Sequence, residues 1–310
     1  MIVPNVYIRN FRCFASVEVQ LRPLTALVGP NDSGKSAFLD ALRSLFPQHS
    51  GGRAIVEPDD YYRTQLSMPP KIETRNGATV YGPAIKDVPG AVGFYRLPSD
   101  GPYMTSPGQP DMVHPPPLAA DGSGLPTLLD SFLRRDRSRL EQIIEALRGL
   151  IPGFENIAIR TPSAEQRSID LVVENGLQIN AQRASTGLKV LLFFVALAYH
   201  PSPPDLILIE EPENGVHPRR LKDIVNLLRE ITQGKHGGRA VRVVLTTHSP
   251  YLLDYLDLDV DQVLVFQRLT DGRRTVTPTD PERLRQFRGE FLLGEVWFNE
   301  GEPGLIKTDK

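Results

Sequence analysis

GPNDSGKS, at residues 29–36, follows the apolar run TALV and precedes SAFLDALRSLF, in which apolar residues recur at helical spacing. The string matches the pattern G-x-x-x-x-G-K-[ST], and a strand before it with a helix after it is the context in which this pattern binds phosphate. Its glycines let the backbone curl around an anion, and the following helix N-terminus adds partial positive charge. A chance glycine-rich turn is the alternative, and the placement between a strand and a helix disfavours it.

This loop predicts a site for a nucleoside triphosphate with Mg²⁺. Lys35 is expected to reach the β- and γ-phosphates, and Ser36 is expected to bind the metal ion. The expected nucleotide-binding residues of this stretch are Gly29, Pro30, Asn31, Asp32, Ser33, Gly34, Lys35, Ser36 and Ala37. ATP and Mg²⁺ are therefore the predicted cofactors.

A second motif, LILIEE at residues 206–211, is an apolar strand that ends in two carboxylates. Strand ends are where α/β sheets present ligands. Glu210 is expected to hold the Mg²⁺ shell, and Glu211 to orient or deprotonate the attacking water. Two acids that begin a solvated loop are the alternative for an isolated pair, and the phosphate loop upstream favours the catalytic interpretation.

Two histidines follow this strand. His248, in TTHSP after the next predicted strand, stands at a strand end from which an imidazole could contact a γ-phosphate. A capping or core histidine is the alternative, which the order of the motifs disfavours. His217 is expected to help the turn at Pro218 instead.

The pattern along the chain indicates an α/β fold. Three strands are predicted over residues 4–29, short strands and proline-rich loops over 48–126, one helix over 125–150 and an antiparallel meander over the following residues. The second half alternates buried apolar strands with amphipathic helices, which indicates a parallel, doubly wound sheet.

Composition limits the function classes. The 310 residues carry 35 Lys and Arg against 37 Asp and Glu, so a net charge of −2 offers nucleic acid only a local patch. The single cysteine, Cys13, excludes an internal disulfide and a cysteine-based zinc site. No apolar run approaches the roughly 20 residues that span a bilayer, and a secretory signal is not recognisable. A cytoplasmic location without a membrane partner is expected.

These motifs resemble the ABC-type P-loop ATPases of the RecF/SMC/OLD group, in particular the stand-alone AAA-21-like and AAA-15-like ATPases. IRNFRCF is similar to the N-terminus of that group, GPNDSGKS to its Walker A motif, IEEPENGVHP to its Walker B motif and D-loop, and TTHSPYLLD to its switch-histidine segment. The resemblance implies an ABC head with a mixed, largely parallel sheet flanked by helices, an antiparallel N-terminal β-region and a strand-rich insert. It implies one head over residues 1–310, with lobes at 1–47 and 184–310 and the insert at 48–183.

The resemblance also implies ATP hydrolysis by a homodimer. Ala184 to Lys189 resembles the family signature, so Ser185 and Gly187 are expected to close over the γ-phosphate held by a second copy. Catalytic roles fall to Lys35, Glu211 and His248. Glu210 stands where the family usually has aspartate, and Leu188 and Lys189 differ from the transporter signature. The motifs do not place a Q-loop glutamine, and Gln65 is a guess for it.

The resemblance implies DNA repair or defence against foreign DNA as the role. The nucleotide-binding subunit of an ABC transporter is the alternative, and the separation of Lys35 from Ser185 and the strand-rich insert disfavour it. A P-loop kinase would leave the signature and the switch histidine unexplained.

Partners are the least determined feature. Arginines 134, 135, 137 and 139 and a second group, Arg219, Arg220 and Lys222, are candidates for DNA contact or simply solvated helix faces. Nearby acids, Asp136, Glu141 and Glu145, favour the second interpretation. Trp297 and Phe298 either cover the core or form a surface for a separately encoded nuclease or other effector.

Overall fold

The computed structural model describes residues 5–45, 62, 70–74, 79–81, 84–85, 90–108, 115–285 and 291–307. The chain forms two compact units, each assembled from separate stretches. The first contains Met1–Val92, Pro204–Glu211 and Val241–Lys310, and the second contains Gly93–Pro203 and Pro212–Ala240. The expectation of a single head stays a prediction.

The first unit contains two sheets. The antiparallel sheet has the order β2-β1-β4-β5-β6. Its strands are β1 (Asn5–Phe11), β2 (Phe14–Gln20), β4 (Lys71–Thr74), β5 (Thr79–Tyr81) and β6 (Ala84–Ile85). The strands of the other sheet that lie wholly in this unit have the order β15-β14-β3-β13-β12. Its strands are β3 (Leu24–Val28), β12 (Leu206–Glu210), β13 (Arg242–Thr246), β14 (Gln262–Arg268) and β15 (Arg274–Pro278).

The central strands of this sheet run parallel, as the sequence predicts, and β15 pairs antiparallel with β14. All five residues of β3 and all five of β13 are buried, as expected for strands covered on both faces. The helices of the first unit are α1 (Lys35–Ser44), α6 (Pro250–Leu253), α7 (Pro281–Arg285), α8 (Leu293–Glu300) and α9 (Glu302–Leu305).

Three phenylalanines form the core under the phosphate loop. Phe14 and Phe38 meet edge to face with ring centroids 6.4 Å apart, and Phe266 lies 5.5 Å from Phe38. All three rings are fully buried. Edge-to-face aromatic contacts add to the free energy gained by burial, so β2, α1 and β14 are held together directly below residues 29–36.

The second unit combines a four-stranded antiparallel sheet with four helices. Its sheet strands are β8 (Thr105–Pro107), β9 (Phe154–Ser163), β10 (Gln166–Val173) and β11 (Leu177–Asn180). Its helices are α2 (Leu125–Arg135), α3 (Arg137–Leu150), α4 (Thr186–Ala198) and α5 (Pro218–Gln233). A further strand, β7 (Val92–Arg96), begins in the first unit and continues into the second. Because β10 pairs antiparallel with both β9 and β11, the predicted meander is confirmed.

The prediction of one helix over residues 125–150 is wrong. Asp136, at φ −143° and ψ 65°, leaves the helical region and ends α2. Its side chain accepts the backbone N–H of Arg139 and so caps the N-terminus of α3. The apolar residues keep the helical period on both sides of the break, which is why the pattern did not reveal it.

Within the described ranges, no helix has the length and apolar character needed to cross a bilayer.

A buried ion pair joins α2 to β10. Arg167 Nε donates to Asp130 Oδ2 at 2.7 Å, and the two side chains are 4% and 9% exposed. Asp130→Ala should lower the free energy of unfolding by roughly 3 kcal/mol, because it leaves the buried guanidinium without its counter-charge.

The matched control is Glu141→Ala, which removes an exposed pair with Arg137 in α3 and should cost less than about 0.5 kcal/mol. Denaturant unfolding followed by circular dichroism measures both variants. Equal losses in the two variants would contradict a structural role for the buried pair.

Candidate functional site

The phosphate loop joins β3 to α1 with three residues at positive φ. Gly29 and Gly34 have φ of 142° and 108°, and Asp32 has φ of 59°. A Cβ at Gly29 would lie 2.2 Å from the carbonyl oxygen of Phe266. One at Gly34 would lie 2.9 Å from Cys13 Sγ. Both glycines are therefore required by backbone conformation and by close packing.

Lys35 begins α1 and is buried. Its Nζ donates to the carbonyl oxygens of Gly29 at 2.7 Å and Pro30 at 2.9 Å, so the ammonium group lies inside the loop. Burial lowers the pKa of Lys35, because the charged form loses solvation. The negative charges of Glu211, Glu302 and Asp32 act against this lowering of the pKa.

A guanidinium group supports the middle of the loop. Arg274 Nε donates to the carbonyl oxygen of Asp32 at 3.0 Å, and Arg274 Nη1 donates to the carbonyl oxygen of Gly272 at 2.6 Å. Asp32 is the residue held in the left-handed region. Arg274 could not be selected from the sequence, because β15 is not predicted from it and the contact joins residues far apart in the chain.

The predicted catalytic pair lies together at the ends of β12 and β13. His248 Nε2 is 3.6 Å from Glu211 Oε1, and both side chains are partly exposed. The Glu211 backbone N–H donates to the carbonyl oxygen of Thr246 at 3.1 Å. Glu211 has φ of 47°, a conformation that is costly for a residue with a Cβ and is typical of functional sites. This geometry can hold a water molecule or a phosphate oxygen beside a carboxylate and an imidazole.

The charge state of His248 follows from its surroundings. Burial lowers the pKa of His248, the positive charge of Lys35 lowers it further, and Glu211 acts in the opposite direction. The neutral imidazole is therefore favoured near neutral pH. A neutral ring has one donor and one acceptor nitrogen, which suits hydrogen bonding to water or phosphate.

The residues that would hold nucleotide and Mg²⁺ fit that use. Ser36 is exposed in the first turn of α1, and Glu210 is partly exposed at the end of β12. Ser33 Oγ is buried and has no hydrogen-bond partner among the described residues, which is unusual for a loop that is complete in itself. In the described part of the chain, no three His, Cys, Asp or Glu side chains form a metal site alone. Mg²⁺ usually keeps water and takes substrate phosphate oxygens beside one or two carboxylates.

The predicted signature residues belong to the second unit. Ser185 is the exposed N-cap of α4, and its side chain makes no capping hydrogen bond. A Cβ at Gly187 would lie 3.5 Å from the carbonyl oxygen of Gly215, so the signature packs against the turn that precedes α5. His217 caps α5 by accepting the backbone N–H of Arg219, as expected.

The structure shows the surroundings of the first group of arginines and of the two C-terminal aromatic residues. Three arginines of the first group form ion pairs with acids of α2, α3 or the turn between them: Arg134 with Asp130, Arg137 with Glu141, and Arg139 with Asp136. This pairing favours solvated helix faces, and DNA contact stays a prediction.

Trp297 is partly buried, whereas Phe298 is 79% exposed. Gln65 lies outside the described residues.

Two family models match the sequence. Residues 114–254 match AAA_21, an AAA domain whose description mentions the AbiEii toxin and type IV toxin–antitoxin systems. Residues 1–71 match AAA_15, described as an AAA ATPase domain. A 38-residue segment is 45% identical to the OLD nuclease of Thermus scotoductus, and this segment is 12% of the chain and 7% of that nuclease.

Solved structures of SMC heads share the fold. An SMC head bound to the C-terminal winged-helix domain of ScpA has a TM-score of 0.55 at 14% identity, over 91% of this chain and 99% of that chain. The SMC head domain from Thermotoga maritima has a TM-score of 0.50 at 16% identity, over 90% and 100%. The Pyrococcus furiosus SMC head has a TM-score of 0.55 at 11% identity, over 92% and 98%. At these identities the likeness concerns the fold.

The AAA-domain matches support an ATP-hydrolysing protein in general, and they agree with the phosphate loop and the paired Glu211 and His248. The two family models therefore describe AAA ATPase domains over separate parts of the chain, and the SMC-head structures show the fold alone.

Proposed function

We propose that this chain forms a single ABC-type head that binds ATP with Mg²⁺ and hydrolyses it. ATP binding would close two copies into a dimer, and hydrolysis would reopen it. The observation that carries this proposal is the contact of Glu211 with His248 at the same sheet edge as the Lys35 loop. A DNA-repair or foreign-DNA defence role, with a separately encoded effector, is part of the proposal.

Within one copy, Lys35 and the loop N–H groups bind and orient the triphosphate, and the Lys35 charge offsets charge that develops during phosphoryl transfer. Ser36 and Glu210 are the side chains that would hold Mg²⁺. The ion supplies charge neutralisation at the phosphates. Glu211 orients the attacking water and accepts its proton, while His248, 3.6 Å from Glu211, donates its single N–H to the γ-phosphate.

The signature is proposed to act on the site of the second copy. Ser185 is exposed and its side chain makes no capping hydrogen bond. Its hydroxyl and the N-terminus of α4 are therefore available to a γ-phosphate. The separation of about 150 residues between Lys35 and Ser185, together with the SMC-head fold, favours a dimeric switch over a transporter subunit.

Lys35→Ala should weaken MgATP binding more than about tenfold, because it removes the cation that neutralises the β- and γ-phosphates. Isothermal titration calorimetry measures this affinity. Lys222→Ala, an exposed lysine of α5, is the control and should bind as the wild type does. Equal affinity in both variants would remove the loop from nucleotide binding.

Glu211→Gln should bind MgATP normally and hydrolyse it about 100-fold or more slowly, because the amide cannot take a proton from water. The trapped nucleotide should hold the closed dimer. Light scattering with and without MgATP measures the mass. A Glu211→Gln protein that remains monomeric at saturating MgATP would contradict closure by nucleotide.

Ser185→Arg should preserve the fold and abolish turnover, because a long cation would occupy the space of the γ-phosphate of the second copy. Mixing it with Lys35→Ala tests the arrangement directly. A mixed dimer carries one site with an intact loop and an intact signature, so ATP turnover should partly return. Two inactive proteins that remain inactive when mixed, while forming mixed dimers, would argue against a shared site.

A further inference from the structure

Helices α6 and α8 of the first unit pack directly against each other. The backbone N–H of Gly294 in α8 donates to Asp254 Oδ1, at the end of α6, at 2.7 Å. A Cβ at Gly294 would lie 2.0 Å from the carbonyl oxygen of Pro250, so only glycine permits this approach. The two helices therefore form one surface, which begins two residues after His248 along the chain.

Large apolar side chains are exposed on this surface. Tyr251 of α6, Phe298 of α8, and Phe291 and Leu292 just before α8 are each at least 50% exposed. They are four of the nine large hydrophobic side chains that are exposed in the described part of the chain. Phe298 lies one helical turn after Gly294, on the side of α8 that meets α6. We call these four side chains the aromatic surface, and clusters of this kind mark interaction sites.

The charged side chains of the two helices and their flanks are all acidic. Glu295 and Glu300 of α8 are exposed, and Asp254 lies beneath the N-terminus of α8. Neither residues 249–267 nor residues 291–306 contain a lysine or an arginine. A partner that covers the aromatic surface therefore gains most when its own apolar side chains are flanked by lysine or arginine.

The dimensions of the aromatic surface suit a helical ligand. Phe298 lies six residues after Leu292, the N-cap of α8, which is roughly 9 Å along the helix axis. Tyr251 on α6 adds a second side to the surface. A ligand helix presents apolar residues at i, i+3, i+4 and i+7, which cover roughly this length. Neither α6 nor α8 offers the open sheet edge that a strand-like ligand needs.

We propose that the aromatic surface is the docking site for a basic amphipathic helix of a partner polypeptide, the separately encoded effector of the proposed function. This inference rests on that partner and is independent of ATP binding. A second copy of the chain is a poor occupant, because a symmetric contact would bring the acids of one copy against those of the other. A helix docked here contacts α6, the element that follows His248.

The probe is a peptide of about 14 residues, or four helical turns, in which leucine has helical spacing and lysine fills the other positions. It should bind the wild type and change the emission of Trp297, the only tryptophan of the chain. Trp297 precedes Phe298, and its Nε1 donates to Glu302 Oε1 at 3.2 Å, so the reporter is fixed beside the surface. The same peptide with glutamate in place of lysine should bind about tenfold more weakly or worse.

Phe298→Ser should weaken binding of the leucine–lysine peptide by about tenfold or more, because it removes the most exposed ring of the surface. The matched control is Leu177→Ser, which removes an exposed apolar side chain from β11 of the second unit. It should bind within about twofold of the wild type. Calorimetry gives the affinities, and unfolding temperatures identify any variant whose fold is damaged.

Glu300→Lys tests the charge of the surface. It should weaken the leucine–lysine peptide about three- to tenfold at low salt and strengthen the leucine–glutamate peptide, and both effects should shrink as salt is added. Glu141→Lys makes the same charge change at an exposed position of α3 and should alter both affinities by less than about twofold.

The outcomes separate this inference from ATP binding. A wild type that does not bind the leucine–lysine peptide, an unchanged Trp297 emission, or equal affinities in Phe298→Ser and Leu177→Ser would overturn the docking site. A nucleotide-free dimer that Phe298→Ser converts to a monomer in light scattering would assign the surface to a second copy and overturn it as well. A wild type that binds the peptide but not MgATP would reject ATP binding alone.

Discussion

The parallel register of three neighbouring strands is the constraint on which the site depends. In that register Glu210 of β12 is opposite Thr246 of β13, and Thr246 is opposite Leu27 of β3. The strands therefore end at the same edge, where β3 continues into the phosphate loop and the other two continue to Glu211 and His248. A slip of one residue would turn alternate side chains to the other face of the sheet. Full burial of β3 and β13 makes such a slip costly.

Two strained residues stand at this edge, and contacts from elsewhere in the unit stabilise each. Asp32 keeps its left-handed conformation while Arg274 holds its carbonyl oxygen. Glu211 keeps φ of 47° while its N–H is bonded to Thr246 on the adjacent strand. Strain of this kind persists only where surrounding structure fixes it. The site geometry is therefore a property of the whole sheet rather than of the motif peptides.

The features that sequence predicts well are those whose chemistry is local. The phosphate loop needs glycines at fixed offsets, and the paired acids need only a strand end, so both were found with their neighbouring strands and helices. The break at Asp136 was not predicted, because the apolar residues keep the helical period on both sides of this capping residue. The contact of Arg274 with the loop escaped it because this contact joins residues far apart in the chain, and no periodicity records which strand lies beside the loop.

Burial and the neighbouring carboxylates have opposite effects on the charge of Lys35. Burial disfavours the ammonium ion, and neighbouring carboxylates favour it, so the same acids that keep a cation available to phosphate also repel that phosphate. Glu211 is fixed by the strand register and by its bond to Thr246. A phosphate bound by the loop would therefore meet this carboxylate in a fixed position, and the charge of Lys35 has to outweigh the repulsion between them.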